Sequence, residues 1–160
     1  MAEVSEPGSK GIIFKPYFTG RGAPVWDPDS KGAVHGLTLS HNRGDLFRAC
    51  LEGIAAEVKL NLDAMESAGI DISEVRVTGG GSRSKVMNQV LSSCTDRAVV
   101  SFEGGEATTI GAFILAAVAC GLLQDCQRGV KTVSESLAQT RYLPRDRVAY
   151  RRYLENYEKI

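Results

Sequence analysis

The stretch VRVTGGGSRSKVMN, Val75 to Asn88, combines residue types that can hold an anionic or hydroxyl-bearing ligand. Alternating β-branched residues lead into Gly79-Gly80-Gly81, and Ser82 is a good N-cap for the helix expected behind them. Glycine tolerates positive φ and, without a Cβ, lets backbone approach a ligand closely. The first amides of a helix carry partial positive charge, so such a turn suits a phosphate or a ribose hydroxyl. Three glycines equally suit a tight strand-to-helix turn with no ligand, and glycine count alone leaves the two readings level. Two standard phosphate motifs fail. A P-loop needs glycine directly before a Lys-Ser/Thr pair, whereas Ser84 precedes Lys85 and Val86 follows it. A dinucleotide fingerprint starting at Gly79 requires glycine or alanine at position 84 and finds serine.

Other reactive side chains offer less. Asp27 and Asp29 in the WDPDS loop could serve as catalytic carboxylates, but Asx turns beside Pro28 explain them more simply. His35 and His41 share one loop-like region without a Cys or carboxylate cluster, which argues against a zinc site or a His-based triad. The cysteines Cys50, Cys94, Cys120 and Cys126 form no CxxC pair and lie in or beside apolar stretches. They read as reduced, buried thiols of a cytoplasmic protein.

The elements that must position these residues alternate between strand-like and helix-like patterns. Gly11 to Phe18 suits an extended segment, although Pro16 excludes a regular central strand. Thr19 to Lys31 is loop chemistry. From Arg43 to Ala68, Leu46, Cys50, Ile54, Val58, Leu62 and Met65 recur mostly every fourth position and predict one helical face, with Asp45 in the first turn and Gly69 as its stop. A strand over Glu74 to Thr78 then runs into the glycines. A helix through Val86, Val90 and Cys94, with Met87 and Leu91 beside them, leads to a strand over Ala98 to Phe102. Gly104-Gly105 turn the chain into an apolar helix around Ile110, Ile114 and Val118. The segment Arg145 to Ile160 predicts a terminal helix packing through Val148, Leu154 and Tyr157. The order is α/β throughout.

The whole chain is 160 residues, enough for one domain with a real core. With 43% hydrophobic and 24% charged residues it is not a disordered chain. Nineteen basic residues balance 19 acidic ones, which argues against binding nucleic acid or an anionic membrane surface. Thr108 to Leu123 is apolar but too short to span a bilayer. Residues 1–10 are polar, lack a signal-like apolar run, and read as a leader, leaving 11–160 as the domain.

The ordered motifs resemble the carboxy-terminal domain of the FGGY carbohydrate kinases, within the actin-like ATPase superfamily. Pro16 to His41 is similar to the block before that family's long helix. Gly32-x-Val34-x-Gly36-Leu37, followed by Asp45-Leu46 and Ala49-Cys50-Leu51-Glu52, follows its second signature, with Cys50 a mild departure. VTGGGSRS, Val77 to Ser84, resembles its adenosine-binding turn, and Glu106 to Gly121 its last packed helix. The resemblance implies an actin-like (ribonuclease H-like) α/β domain and an enzyme that closes a cleft around ATP, Mg²⁺ and a sugar or polyol. It implies that Gly80, Gly81 and Ser84 lie against the adenosine and α-phosphate while Gly79 shapes the turn. It places the catalytic aspartate, the sugar contacts and the first phosphate loop before the matched region. The expectation is therefore an incomplete copy lacking its first strands, whose partner is the missing amino-terminal kinase domain. FTGRGAPVWDP leans towards glycerol kinases and GLTLSH towards xylulose kinases, so the substrate stays open. A non-catalytic truncated or split relative serving as a binding module is the alternative. Because so few strands cannot cover the helices around Ile54–Val58 and Ile110–Val118, the chain by itself is expected to self-associate.

Overall fold

Asn42 begins the longest element. Its side chain accepts from the Gly44 amide at 2.7 Å and the Asp45 amide at 3.2 Å, and Asp45 accepts in return from the Asn42 amide at 3.0 Å. This reciprocal capping satisfies three donors that the first helical turn would otherwise orphan, and it starts α1, Arg43–Ser67. The helix stops where Gly69 turns to φ 89°. In this computed structural model, which describes residues 5–102 and 107–160, α1 packs against the helix Lys85–Thr95, against the strand Ile13–Lys15 and against the turn at Ser9–Gly11.

The buried face of α1 differs from the expected stripe. Leu46, Ile54 and Met65 are exposed, whereas Asp45, Ala49, Glu52, Gly53 and Ala56 are buried. Small residues win the inner face because β1, Ile13–Lys15, crosses directly over it: a Cβ on Gly53 would lie 2.1 Å from the Phe14 carbonyl oxygen. β1 pairs antiparallel with β2, Ala33–His35, in a two-stranded ribbon, and stops at Lys15, directly before Pro16.

Glu52 is fully buried and gathers distant pieces around its carboxylate. It accepts from the Gly8 amide at 2.9 Å, Ser9 Oγ at 2.6 Å, Arg48 Nε at 2.9 Å and Tyr150 Oη at 3.2 Å. A buried carboxylate costs several kcal/mol unless its oxygens are paired in this way. Residues 5–10, read as a polar leader, are thereby seated on α1, with Ser5 and Ser9 buried.

The main sheet has strand order β3-β4-β5. β3, Glu74–Val77, runs parallel to β4, Ala98–Phe102, joined by α2, Lys85–Thr95. β5, Gln139–Tyr142, pairs antiparallel on the far side of β4, with Tyr142 opposite Val99. Between them come α3, Ala107–Ala119, and α4, Cys126–Ser136. α3 and α4 meet where Gly129 leaves room for Ile114, whose side chain would sit 2.7 Å from an added Cβ. Neither α4 nor β5 is among the elements expected from the sequence, although Asp125 caps α4, accepting from the Arg128 amide at 2.7 Å. The Gly104-Gly105 turn lies outside the described residues.

The last element, α5, Arg147–Lys159, packs through Tyr150, Tyr153 and Tyr157, three positions that fall on one helical face. Val148, expected in that face, is 85% exposed. The tyrosines join Ile13, Ala55, Ala56, Val90, Leu91, Cys94 and Val99 in the core. Burial pushes the Cys94 thiol up to about 12, so it behaves as a small hydrophobe. All four cysteines are free, but of the four only Cys94 is buried: Cys50 on α1 is partly exposed, and Cys120, just beyond α3, and Cys126, at the start of α4, are exposed. No helix among the described residues is long and apolar enough to cross a membrane.

Candidate functional site

The backbone leaves β3 at Val77 and reverses at Gly79, whose φ 76° and ψ −166° fall in a region essentially restricted to glycine. Gly80–Arg83 then form one 3-10 turn. The Ser82 amide and Oγ both donate to the Gly79 carbonyl, at 3.2 and 2.7 Å. This local use of Ser82 corrects the expectation that it caps the helix. Ser84 takes that role, its Oγ accepting from the Met87 amide at 3.2 Å, and α2 starts at Lys85. From inside α2, the buried Asn88 donates its side-chain amide to the Ser82 carbonyl at 2.7 Å.

All four residues singled out from the sequence, Gly79, Gly80, Gly81 and Ser84, therefore lie on one continuous turn at the carboxyl end of β3, but for different reasons. Only Gly79 is held at positive φ. At Gly80 and Gly81, both exposed, φ is not in the left-handed range and an added Cβ would meet nothing within 4 Å. A purely structural turn accounts for Gly79 and leaves the other two glycines unexplained. Gly79→Ala is accordingly expected to destabilise the chain by roughly 1–3 kcal/mol of backbone strain. Urea unfolding followed by circular dichroism reads this directly, and an unchanged midpoint would contradict the strained geometry.

Lys85, which opens α2, also lines a cavity of about 670 Å³ between α2, Arg48 of α1, and the segment carrying Arg141, Arg145 and Asp146. That segment is fixed against α2 by Gln89 Nε2 donating to the Leu143 carbonyl at 2.8 Å and by the Arg145 amide donating to Ser93 Oγ at 3.0 Å. The positive lining had no signature in the sequence, because its members come from separate elements.

The other candidates keep to their own loops. Asp27 accepts from the Asp29 amide at 3.0 Å and from Ser30 Oγ at 2.6 Å, an Asx turn as expected. The Ser30 hydroxyl, followed by that amide, holds the Asp27 carboxyl below its ordinary range. His41 Nδ1 accepts from the Thr38 amide at 2.9 Å. Among the described residues no cluster of His, Cys, Asp or Glu could hold a metal ion.

Against known proteins, residues 1–120 match the FGGY family of carbohydrate kinases, C-terminal domain. The gluconokinase of Bacillus subtilis (strain 168) is 37% identical over 122 residues, covering 76% of this chain and 24% of that protein. The solved xylulose kinase from Lactobacillus acidophilus superposes with a TM-score of 0.81 at 26% identity, covering 99% of this chain and 32% of that one. The Plasmodium falciparum glycerol kinase with ADP gives 0.80 at 27% identity, covering 94% of this chain and 30% of that one. The chain thus spans about a quarter of the length of the curated relative and a third or less of the solved ones.

Proposed function

This chain belongs to the FGGY family of carbohydrate kinases, with their actin-like α/β fold, and on that premise we propose that it is the nucleotide-binding part of an ATP-dependent kinase that phosphorylates a hydroxyl of a sugar or polyol. The observation that carries the reading is the bare backbone at Gly80 and Gly81, which neither φ nor packing requires to be glycine. The Plasmodium falciparum relative, solved with ADP, supports the same assignment.

Phosphoryl transfer asks chiefly for positioning, for neutralisation of charge on the transferring group, and for a carboxylate to take the hydroxyl proton. This chain's share is positioning. The backbone of Gly80 and Gly81 would lie along the adenosine and α-phosphate, with Ser84 at the helix start and Gly79 setting the direction of the turn. Mg²⁺, held mainly by the nucleotide's phosphates, would offset their charge. The proton-accepting carboxylate and the sugar pocket would be supplied by the amino-terminal kinase domain. Asp27 is unsuited to the first task, since its oxygens already close a turn.

Two outcomes test the proposal. The 160-residue chain should bind a fluorescent ATP analogue yet release no ADP in the presence of glycerol, gluconate or xylulose. Sugar-dependent ADP release that a substitution within this chain abolishes would contradict the division of labour. Absence of nucleotide binding would favour the alternative of a non-catalytic interaction module.

Trp26 is 80% exposed, and Phe113, Leu115, Leu122 and Val148 lie on the surface as well. Burying even about 400 Å² of such surface on association would be worth on the order of 10 kcal/mol before association costs. The chain by itself is therefore expected to self-associate, as size exclusion with light scattering will show. A monodisperse monomer at high concentration would refute this.

A further inference from the structure

We infer that Asn88 is the positioning residue of the glycine turn, and that its side-chain amide sets how tightly the nucleotide is held; the inference rests on the nucleotide reading above. Asn88 is 1% exposed, on the second turn of α2. A buried amide at a helix position facing the core costs stability unless it is hydrogen-bonded, and an apolar residue would fill the space without that cost. Its bond goes to the turn: Nδ2 donates to the Ser82 carbonyl at 2.7 Å. Ser82 passes the constraint on, since its Oγ donates to the Gly79 carbonyl at 2.7 Å. The Asn88 backbone N–H makes the ordinary first bond of α2, to the Ser84 carbonyl at 3.0 Å, which fixes where the side chain starts relative to the turn.

This clamp matters because of what it holds. Three successive glycines have more conformational freedom than any other tripeptide and no side chains with which to restrict one another. A ligand that binds their backbone must overcome that freedom unless the fold has already removed it. The chain Asn88–Ser82–Gly79 removes it from beneath, leaving the exposed side of Gly80 and Gly81 open.

The test measures the dissociation constant of a fluorescent ATP analogue for the 160-residue chain, well below its melting temperature, beside the amide NMR signals of Gly80 and Gly81. Asn88→Asp keeps the shape but sets a carboxylate oxygen against the Ser82 carbonyl; Ser82→Ala removes the second link while leaving the core intact. Both variants are expected to bind about tenfold more weakly and to broaden or shift the two glycine amides. Should Asn88→Asp not fold, Ser82→Ala still decides. A lowered melting temperature with unchanged affinity and unchanged glycine amides would overturn the inference and leave Asn88 a core residue only. A wild-type chain that binds no nucleotide would overturn the nucleotide reading instead, and with it the affinity half of this inference, while the glycine amides would still report whether Asn88 holds the turn.

Discussion

Gly53→Ala is expected to remove most of the stability of this chain. The added methyl would sit 2.1 Å from the Phe14 carbonyl oxygen and 3.1 Å from its carbonyl carbon, both backbone atoms with no rotamer to escape into. Relief requires β1 to lift from α1. β1 cannot move by itself, because Ile13 is in the core and the buried Lys15 donates to the Tyr157 carbonyl at 2.6 Å while its ammonium lies 3.5 Å from the centre of the Tyr157 ring. Displacing it would loosen the last turn of α5 as well. Losses above about 4–5 kcal/mol come from a short set of causes, overpacking among them. Typical domains have only about 5–15 kcal/mol in total. Thermal unfolding followed by circular dichroism should show a midpoint lowered by well over ten degrees, or no cooperative transition. A change of one or two degrees would mean that β1 and α1 are not in this close contact.

Gly80→Val should do the opposite, leaving the fold and impairing the ligand. Nothing lies within 4 Å of the position a Cβ would take, and the backbone there is not left-handed, so the melting temperature should barely move. A branched side chain on the exposed backbone would nevertheless stand between the turn and a nucleotide. Affinity for ATP is expected to fall at least tenfold, about 1.4 kcal/mol. In a complete kinase of the kind proposed, the same change should raise the Michaelis constant for ATP. The comparison with Gly79→Ala sharpens the test, since that neighbour should lose stability through strain. If Gly80→Val binds nucleotide as well as wild type, the open face serves something else.

Much of this architecture was legible in residue order alone. The limits of α1 follow from local chemistry, Asp45 in the first turn and Gly69 beyond the last, and local chemistry survives folding. β3, α2 and β4 are likewise written in alternation and helical spacing. The order of motifs sufficed to identify the family, because several independent short patterns in one sequence rarely coincide by chance. β5 has no such pattern, because Gln139–Tyr142 is a polar edge strand whose pairing with β4 comes from outside the segment. How α4 packs was likewise not legible, because Gly129 takes its meaning only from Ile114, which occupies the space that it leaves.

Which face of α1 turns inward was a tertiary decision. Hydrophobic periodicity selects Leu46, Ile54 and Met65, yet the fold buries Ala49, Glu52, Gly53 and Ala56, since only small side chains admit a strand laid across a helix and only a buried carboxylate can gather Gly8, Ser9, Arg48 and Tyr150. The glycine turn divides in the same way. The sequence determined that Gly79, Gly80 and Gly81 lie together between a strand and a helix. Only the folded backbone, whose dihedral angles depend on where both elements are anchored, separates the glycine that the turn itself needs from the two that it does not.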